Sequence, residues 1–476
     1  MPMPSLFRKL RVLIVAWVAA ACFQSIVDLD ALGAGSQPPN IVFILTDDQR
    51  ADTIAALGNA SMRTPNLDRL ARNGFAFMNA RNQGGLQGAV CVPSRAMLWS
   101  GQSLWHANEQ LEGRVTLGQW LGGNGYRTFG TGKWHNGDAS LLRTFAEARN
   151  ITEGFLPNGH TSAFRLRHVS HGQLTASSNT PPVYSTALIG QTAVDFINRA
   201  AKEPGSPFFL YAGFNAPHDP FGAPPEYRNL YLDKQGSPVI TLPGNVLRKH
   251  PFNAGVHDIR DEVLLPTPRP VEALLRQNVE YAAMISQVDA WVGRILAALE
   301  ANGLANNTLV VFTSDQGLAR GSHGLLGKQN LYEHSLKVPL ILSGPKVPKG
   351  RSAAPVYLFD LFSTLTDYAG IQTPEGQMDG PSLRPFMEGK APPPHKVMYH
   401  GYTKLMRAVC DGPWKLIVYS LPGGSTRIQL FNLEKDPLET KDFCNEPSQA
   451  DRVERLKQLL REQAAGFNDP LRLWRD

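Results

Sequence analysis

The sequence has no dense block of lysine and arginine, and its net charge of +6 is modest for 476 residues. That absence argues against nucleic acid as a partner and leaves only a weak bias towards anionic molecules. There is no internal repeat and no low-complexity tract, so a repeat array is excluded. The apolar run near the N-terminus is too short to span a bilayer comfortably, and no other run reads as apolar for long enough, so no stable membrane span is expected. Charged residues make up 18% and hydrophobic ones 42%, a globular rather than a disordered composition. The length allows two or three domains and a large core. Cysteine is scarce: Cys22, Cys91, Cys410 and Cys444.

What is present begins with a targeting pattern. Arg8, Lys9 and Arg11 precede the apolar run from Val12 to Ala21, as in a secretory signal peptide. Cleavage near Ala21 or near Ala31 to Ala34 makes residues 1–34 a leader. The expected location is periplasmic or secreted. Ala19-Ala20-Ala21-Cys22 is also a weak lipoprotein site, so a lipid anchor through Cys22 stays open. Export permits disulfides. With Cys22 removed and Cys91 chemically committed, Cys410 and Cys444 remain as a pair or as two buried thiols.

Four β-rich runs end in polar, reactive residues. Asn40 to Thr46 leads into Asp47-Asp48, and Tyr126 to Gly130 into Gly132-Lys133-Trp134-His135. Pro207 to Asn215 leads into Pro217-His218-Asp219, and Thr308 to Thr313 into Ser314-Asp315-Gln316. Such runs suit parallel strands buried on both faces. Helical patterns alternate with them at Thr64 to Gly74, Tyr184 to Ala201 and Arg276 to Ala301. The expected fold is α/β: a large, mostly parallel central sheet sandwiched by helices. In such sheets, sites form beyond the carboxyl ends of the strands, so the four clusters converge. After Gly370 the texture turns Pro-rich, then to short strands and a charged helix, Ala450 to Ala465. We expect a catalytic domain over residues 38–375 and, over 390–476, a smaller antiparallel sheet with a helix. Two long segments, residues 136–182 and 221–269, read as surface insertions that shape a pocket. Trp105, His106, Trp134, His250 and His257 are candidates to line it, each with an equal structural reading.

Cys91-Val92-Pro93-Ser94-Arg95 places a cysteine at a helix start, with Pro93 in the first turn. Helix dipole, free N–H groups and Arg95 one turn on favour an anion there, which makes Cys91 reactive or anion-facing. Asp47-Asp48 alone reads as a turn. Adjacent carboxylates repel unless a cation separates them. With Asp315 and Gln316 they make an all-oxygen set that suits Ca²⁺ or Mg²⁺ rather than Zn²⁺. Extended alternation puts Lys133 and His135 on one side. His218 sits in a loop stiffened by prolines on both sides. Lys328 alone reads as a surface lysine, His323 as a weaker pocket residue, and Glu333 as a holder of backbone or of a neighbouring cation.

Cys-x-Pro-Ser-Arg at 91–95 resembles the signature of type I sulfatases of the alkaline phosphatase-like superfamily, whose cysteine is oxidised enzymatically to formylglycine. Gly101-Gln102 is similar to the Gly-Arg that closes the motif, with Gln102 in place of Arg. The resemblance runs from Pro39 to Pro437. It implies a sulfuric ester hydrolase with formylglycine at 91 and one Ca²⁺ held by Asp47, Asp48, Asp315 and Gln316, with residue 91 facing the metal. Many members have Asn where Gln316 stands. The resemblance further implies that Lys133 and Lys328 contact sulfate and that His135 meets the formylglycine hydroxyl. By the same resemblance His218 lies against the leaving-group oxygen, and Arg95 joins the lysines in neutralising charge. The implied partners are a sulfated carbohydrate, or another sulfate ester, and a formylglycine-generating maturase. Competing readings are a phosphonate monoester or phosphodiester hydrolase of the same superfamily, a non-catalytic calcium-dependent glycan-binding protein, and an inert protein whose Cys91 stays unconverted.

Overall fold

The structure, a computed structural model, describes residues 38–154, 156, 158–161, 165–177 and 183–470. The leader, Cys22 and part of the first insertion lie outside the described residues. The central sheet has ten strands. They are β1 (Asn40–Thr46), β2 (Phe75–Phe77), β3 (Arg127–Lys133), β4 (Glu147–Thr152), β5 (Leu166–Ser170), β6 (Gln173–Ser177), β7 (Phe208–Gly213), β8 (Thr308–Ser314), β9 (Leu340–Ser343) and β10 (Gly350–Ser352). Their spatial order is β10-β2-β9-β8-β1-β7-β3-β4-β5-β6. The five middle strands, β8-β1-β7-β3-β4, are all parallel. Antiparallel pairings, β8 with β9 and β4 with β5, begin outside them. The four apolar runs are the heart of this block, so their polar ends share one edge.

Alternation along the middle strands explains why no polar side is left on them. Ile41, Phe43 and Leu45 of β1 pack one way with Phe209, Tyr211, Leu309 and Val311. Val42 and Ile44 pack the other way with Leu210, Ala212, Val310 and Phe312. Helices cover both faces. On the first lie α2 (Cys91–Ser100) and α5 (Asp360–Ala369), through Trp99, Leu361, Phe362 and Leu365. On the second lie α1 (Pro65–Asn73), α3 (Ser185–Ala200) and α4 (Val271–Ala301). Each large side chain buried in this way contributes roughly 1.5–3 kcal/mol. Among the described residues α4 is long and apolar enough to cross a membrane, a property the sequence reading passed over. Most of it is buried, with Ile285, Val288, Val292 and Ile295 packed in the core, so it is a core helix.

The C-terminal strands β11 (Val397–Tyr402), β12 (Met406–Asp411), β13 (Trp414–Ser420) and β14 (Thr426–Asn432) form an antiparallel sheet, with α6 (Ala450–Gly466) across it. One feature was not expected: Gly84–Gly85, seven residues before Cys91, adds a fifth strand parallel to β11. Gly84 has φ 102°, and a Cβ there would lie 2.0 Å from the Gly401 carbonyl oxygen, so only glycine permits this contact. Lys415 of β13 is fully buried and pairs with Glu333 at 2.9 Å and Glu439 at 2.8 Å, while Arg81 holds Glu333 at 2.7 Å. Glu333 thus holds cations, as expected. Cys410 and Cys444 are separate thiols, packed in different apolar clusters. Of the two readings left open for them, the pairing fails.

Candidate functional site

Asp47 and Asp48 leave the end of β1 and are buried. Asp48 is left-handed, φ 66°. Its N–H donates to Asp315 Oδ1 at 3.2 Å, and its carbonyl accepts from Tyr281 at 2.7 Å. This clamp turns both carboxylates towards the start of α2. Cys91 Sγ lies 3.3 Å from Asp47 Oδ1 and 3.6 Å from Asp48 Oδ1. Lys328 Nζ donates to both Asp48 oxygens at 2.6 Å and to Cys91 Sγ at 2.9 Å. Lys133, the last residue of β3, reaches Asp47 Oδ2 at 2.5 Å. Gly132 before it has φ 84°, and a Cβ there would meet the Gly213 carbonyl at 1.9 Å; glycine lets β3 and β7 close up at this edge.

Arg95 lies one turn into α2, fully buried. Its Nε donates to Asp315 Oδ2 at 2.7 Å, and its Nη1 to the Lys133 carbonyl at 2.8 Å and Tyr211 at 2.9 Å. Ser94 donates to the Asp315 carbonyl at 2.6 Å. His218 Nε2 faces Asp48 Oδ2 at 3.6 Å. Its Nδ1 lies 2.8 Å from the Asp219 carbonyl, which only accepts, so Nδ1 carries the hydrogen. His160 Nε2 bonds the His218 carbonyl at 2.8 Å and fixes this loop from behind.

Three carboxylates face three cations, and their positions separate their affinities for protons. Burial pushes Asp47 up, but Lys133, His218, Arg95 and Lys328 outweigh it and hold Asp47 well below the usual range. Asp48 is driven well above it by burial and by the like charges of Asp47 and Asp315, against Lys328. Asp315 is raised by burial and Asp47. His135 is pushed down to about 2 by burial, Lys133 and Arg95, so it is neutral. Cys91 reverses the expectation of a thiol activated by its helix. Burial, Asp315 and Asp47 raise it well above the ordinary thiol range, so it is a protonated thiol that donates towards Asp47.

Asp47, Asp48, Cys91 and His218 bring ligand atoms within 4.8 Å of one another. Two of these four are aspartate carboxylates, hard donors that fit a hard divalent cation. The Lys328 ammonium, held by Asp48 and by Cys91 Sγ, already marks a cation position there. Asp315 borders this group, bound to Arg95 and the Asp48 N–H. The Gln316 amide nitrogen donates to the Val90 carbonyl at 3.0 Å.

A cavity of about 430 Å³ opens onto the cluster, lined by Cys91, Lys133, His135, His218 and Lys328. All the expected substrate-facing residues except Arg95 line it; Arg95 lies beneath. His135 gets there by a different route from simple alternation, because its backbone is left-handed, φ 78°. Its Nδ1 and the Arg95 Nη2 are buried without a hydrogen bond, and Nη2 lies 3.9 Å from Asp47 Oδ1. The far wall comes from the second insertion, the segment expected to shape a pocket, through residues the sequence did not single out: Arg260 donates to Asp219 at 2.5 Å and to Asp261 at 3.1 Å, and Gln329 donates to Asp261 at 2.9 Å. The aromatic and histidine candidates of the sequence reading go elsewhere. Trp134 stacks on Trp99 in the core, and Trp105 stacks on Tyr399. His106 pairs with Asp379, while His250 and His257 both bond the Phe252 carbonyl. His323 stacks on Tyr332.

Fold and site together define a hydrolase of the alkaline phosphatase-like superfamily that works on anionic esters. Residues 39–371 match the sulfatase family model, so the chain belongs to the sulfatase family and is a sulfuric ester hydrolase. Residues 321–466 match the model of the N-sulphoglucosamine sulphohydrolase C-terminal region. The chain is similar to human arylsulfatase K, 27% identical over 90% of this chain and 84% of that one. It is also similar to a Clostridium perfringens arylsulfatase, 28% identical over 90% and 95%. N-acetylglucosamine-6-O-sulfatase of Bacteroides thetaiotaomicron is 24% identical over 90% and 87%. Among solved structures, one in complex with its substrate D-glucosamine-2-N,6-O-disulfate shares the fold with a TM-score of 0.75, 22% identity and coverage of 92% and 100%. The phosphonate monoester hydrolase of Agrobacterium radiobacter shares it too, with a TM-score of 0.70, 22% identity and coverage of 90% and 96%.

Proposed function

We infer that this sulfatase releases inorganic sulfate from a sulfated carbohydrate, using formylglycine made from Cys91 and one Ca²⁺ held by Asp47, Asp48, Asp315 and Gln316. The observation that carries this is the place of Cys91: its Sγ lies against Asp47, Asp48 and Lys328 on the cavity floor. The Gln316 oxygen is the least supported ligand, since its amide nitrogen is tied to Val90. When present, calcium supplies positive charge against the sulfuryl oxygens. Residue 91, as a hydrated formylglycine, would supply one hydroxyl for attack on sulfur and a second that would let sulfate leave.

The chain's own residues do the rest. Lys133 and Lys328 present ammonium groups at the cavity floor, where charge grows on the sulfuryl oxygens. Arg95, pinned by Asp315, the Lys133 carbonyl and Tyr211, keeps Nη2 for the same purpose. Asp315 is the base for the attacking hydroxyl. His218, kept neutral in the free site by burial and Lys328, can pass a proton only through Nε2, because Nδ1 is committed to Asp219; it would first take a proton there and then give it to the departing alcohol. His135 would take the proton of the second hydroxyl once a bound sulfate offsets Lys133 and Arg95, which with burial keep it neutral in the free site. A maturase that oxidises Cys91 is the required partner. Export to the periplasm or beyond rests on Arg8, Lys9, Arg11 and the apolar run after them, with a lipid anchor through Cys22 as its variant. The sugar substrate rests on the named activities of the relatives.

The test compares sulfate release from an aryl sulfate with turnover of an aryl phosphonate monoester and a phosphodiester, using protein co-expressed with a maturase. A higher kcat/KM for the sulfate ester is expected. Preference for the phosphonate would replace this reading with that of the Agrobacterium neighbour, and glycan binding without turnover would leave a binding protein. A panel of defined sulfated sugars then identifies the ring and position.

A further inference from the structure

A second cavity, of about 620 Å³, lies beside the first. Asp219 lines it, while His218, its chain neighbour, lines the first. The partition between them is the Asp219–Arg260 ion pair, 2.5 Å long. A group bonded to a sulfate ester in the first cavity and long enough to pass this pair would reach the second. Its size is right for one ring or a comparable group.

Its walls say what kind of group. Phe221, Leu232, Pro238, Leu264 and Val279 supply apolar surface. The charges within reach are matched to one another: Arg228 is paired with Glu280 through both its Nε and its Nη2, and Asp219 with Arg260. Arg276 stands at the rim, its side chain 71% exposed, where water screens it. A carboxylate or second sulfate entering here would lose water and gain no unmatched partner inside. Leu264, 38% exposed, is the one exposed large apolar residue among the described residues lining the cavity.

We propose that this cavity binds the unit of the substrate next to the sulfated one, and that this unit is uncharged and presents an apolar face. It is the C–H face of a neutral sugar or an aromatic or alkyl group, and the two share this chemistry. The proposal rests on the sulfate-releasing site described above.

The test uses Ser237→Trp, which places a large side chain from an exposed turn into the cavity without touching any residue at the first. Four substrates are compared in wild type and variant: a minimal aryl sulfate, a sulfated disaccharide with a neutral second ring, the same disaccharide with a uronate second ring, and a sulfate ester of a long apolar alcohol. The wild type should favour the neutral over the uronate disaccharide. Filling the cavity should raise KM about tenfold for the neutral disaccharide, the apolar ester or both, and identify which source the site takes, while kcat/KM for the minimal ester stays within about twofold. Leu264→Gln, at the half-exposed edge, should do the same more weakly. Equal change on all substrates, no change on any, or uronate turnover matching the neutral ring would overturn the proposal. If no sulfate ester at all is hydrolysed by the wild type, the sulfatase reading has failed instead.

Discussion

Replacing Arg95 with methionine removes one member of a fully buried ion pair and leaves the carboxylate of Asp315 in the same enclosed place, 0% exposed. Stranding a buried charge in this way costs about 3–5 kcal/mol. At roughly 2.1 cal/mol/K per residue over about 420 ordered residues, the unfolding entropy is ~0.9 kcal/mol/K, so Tm should fall by about 3–6 °C. Asp315→Asn should cost less, about 1–3 kcal/mol, because Arg95 keeps the Lys133 carbonyl and Tyr211 as acceptors. The double variant strands nothing. It should melt at least 2 °C above the sum of the two losses. The measurement is thermal unfolding at one scan rate in chelator, so that no cation stands in for Arg95. Both singles and the double should be inactive, since the double restores packing but not the charge. Strictly additive losses would refute the claim that these two groups depend on each other, and an active Arg95→Met would remove Arg95 from the site.

Cys91→Ala should fold normally and release no sulfate; near-normal turnover would end the formylglycine reading. Mass spectrometry of the peptide Asn82–Arg95 should show a residue lighter than cysteine at 91 in active preparations and cysteine in inactive ones. Chelation should abolish sulfate release and calcium should restore it, whereas unchanged turnover in chelator would remove the metal from the mechanism. His250 and His323 are each pushed down to about 4, mainly by burial, while an unfolded histidine titrates near 6.5. The unfolded chain therefore binds more protons below pH 6.5, and stability falls as pH drops from 6.5 to 4, by at most about 1.4 kcal/mol per pH unit for each. His323→Gln should flatten that slope in denaturant titrations, and an unchanged slope would exclude it as a contributor.

The strand ends were legible because the physics that marks them is local. An apolar run buried on both faces has no polar residue until it leaves the sheet, so Asp47, Lys133, His218 and Asp315 advertise the edge where they emerge. Their sheet order was not needed to see that they share it. Helix α2 was legible for the same reason: Pro93 and Gly101 bracket it. What stayed hidden depends on partners far away in sequence. His160 has no periodicity around it, and only the fold shows that it holds the His218 carbonyl across 58 residues. Gly84–Gly85 is too short to read as a strand until β11 is beside it. Reactivity was the hardest property to read. A helix start argues for an acidic thiol at Cys91, but burial and two buried carboxylates, Asp315 and Asp47, reverse the sign, and neither is adjacent in sequence. The same field explains why a plain cysteine is a poor nucleophile at this position. A site that keeps its thiol protonated gains little from thiolate chemistry, and a neutral, hydrated aldehyde, the form proposed for residue 91, would suit carboxylates that a thiolate would repel.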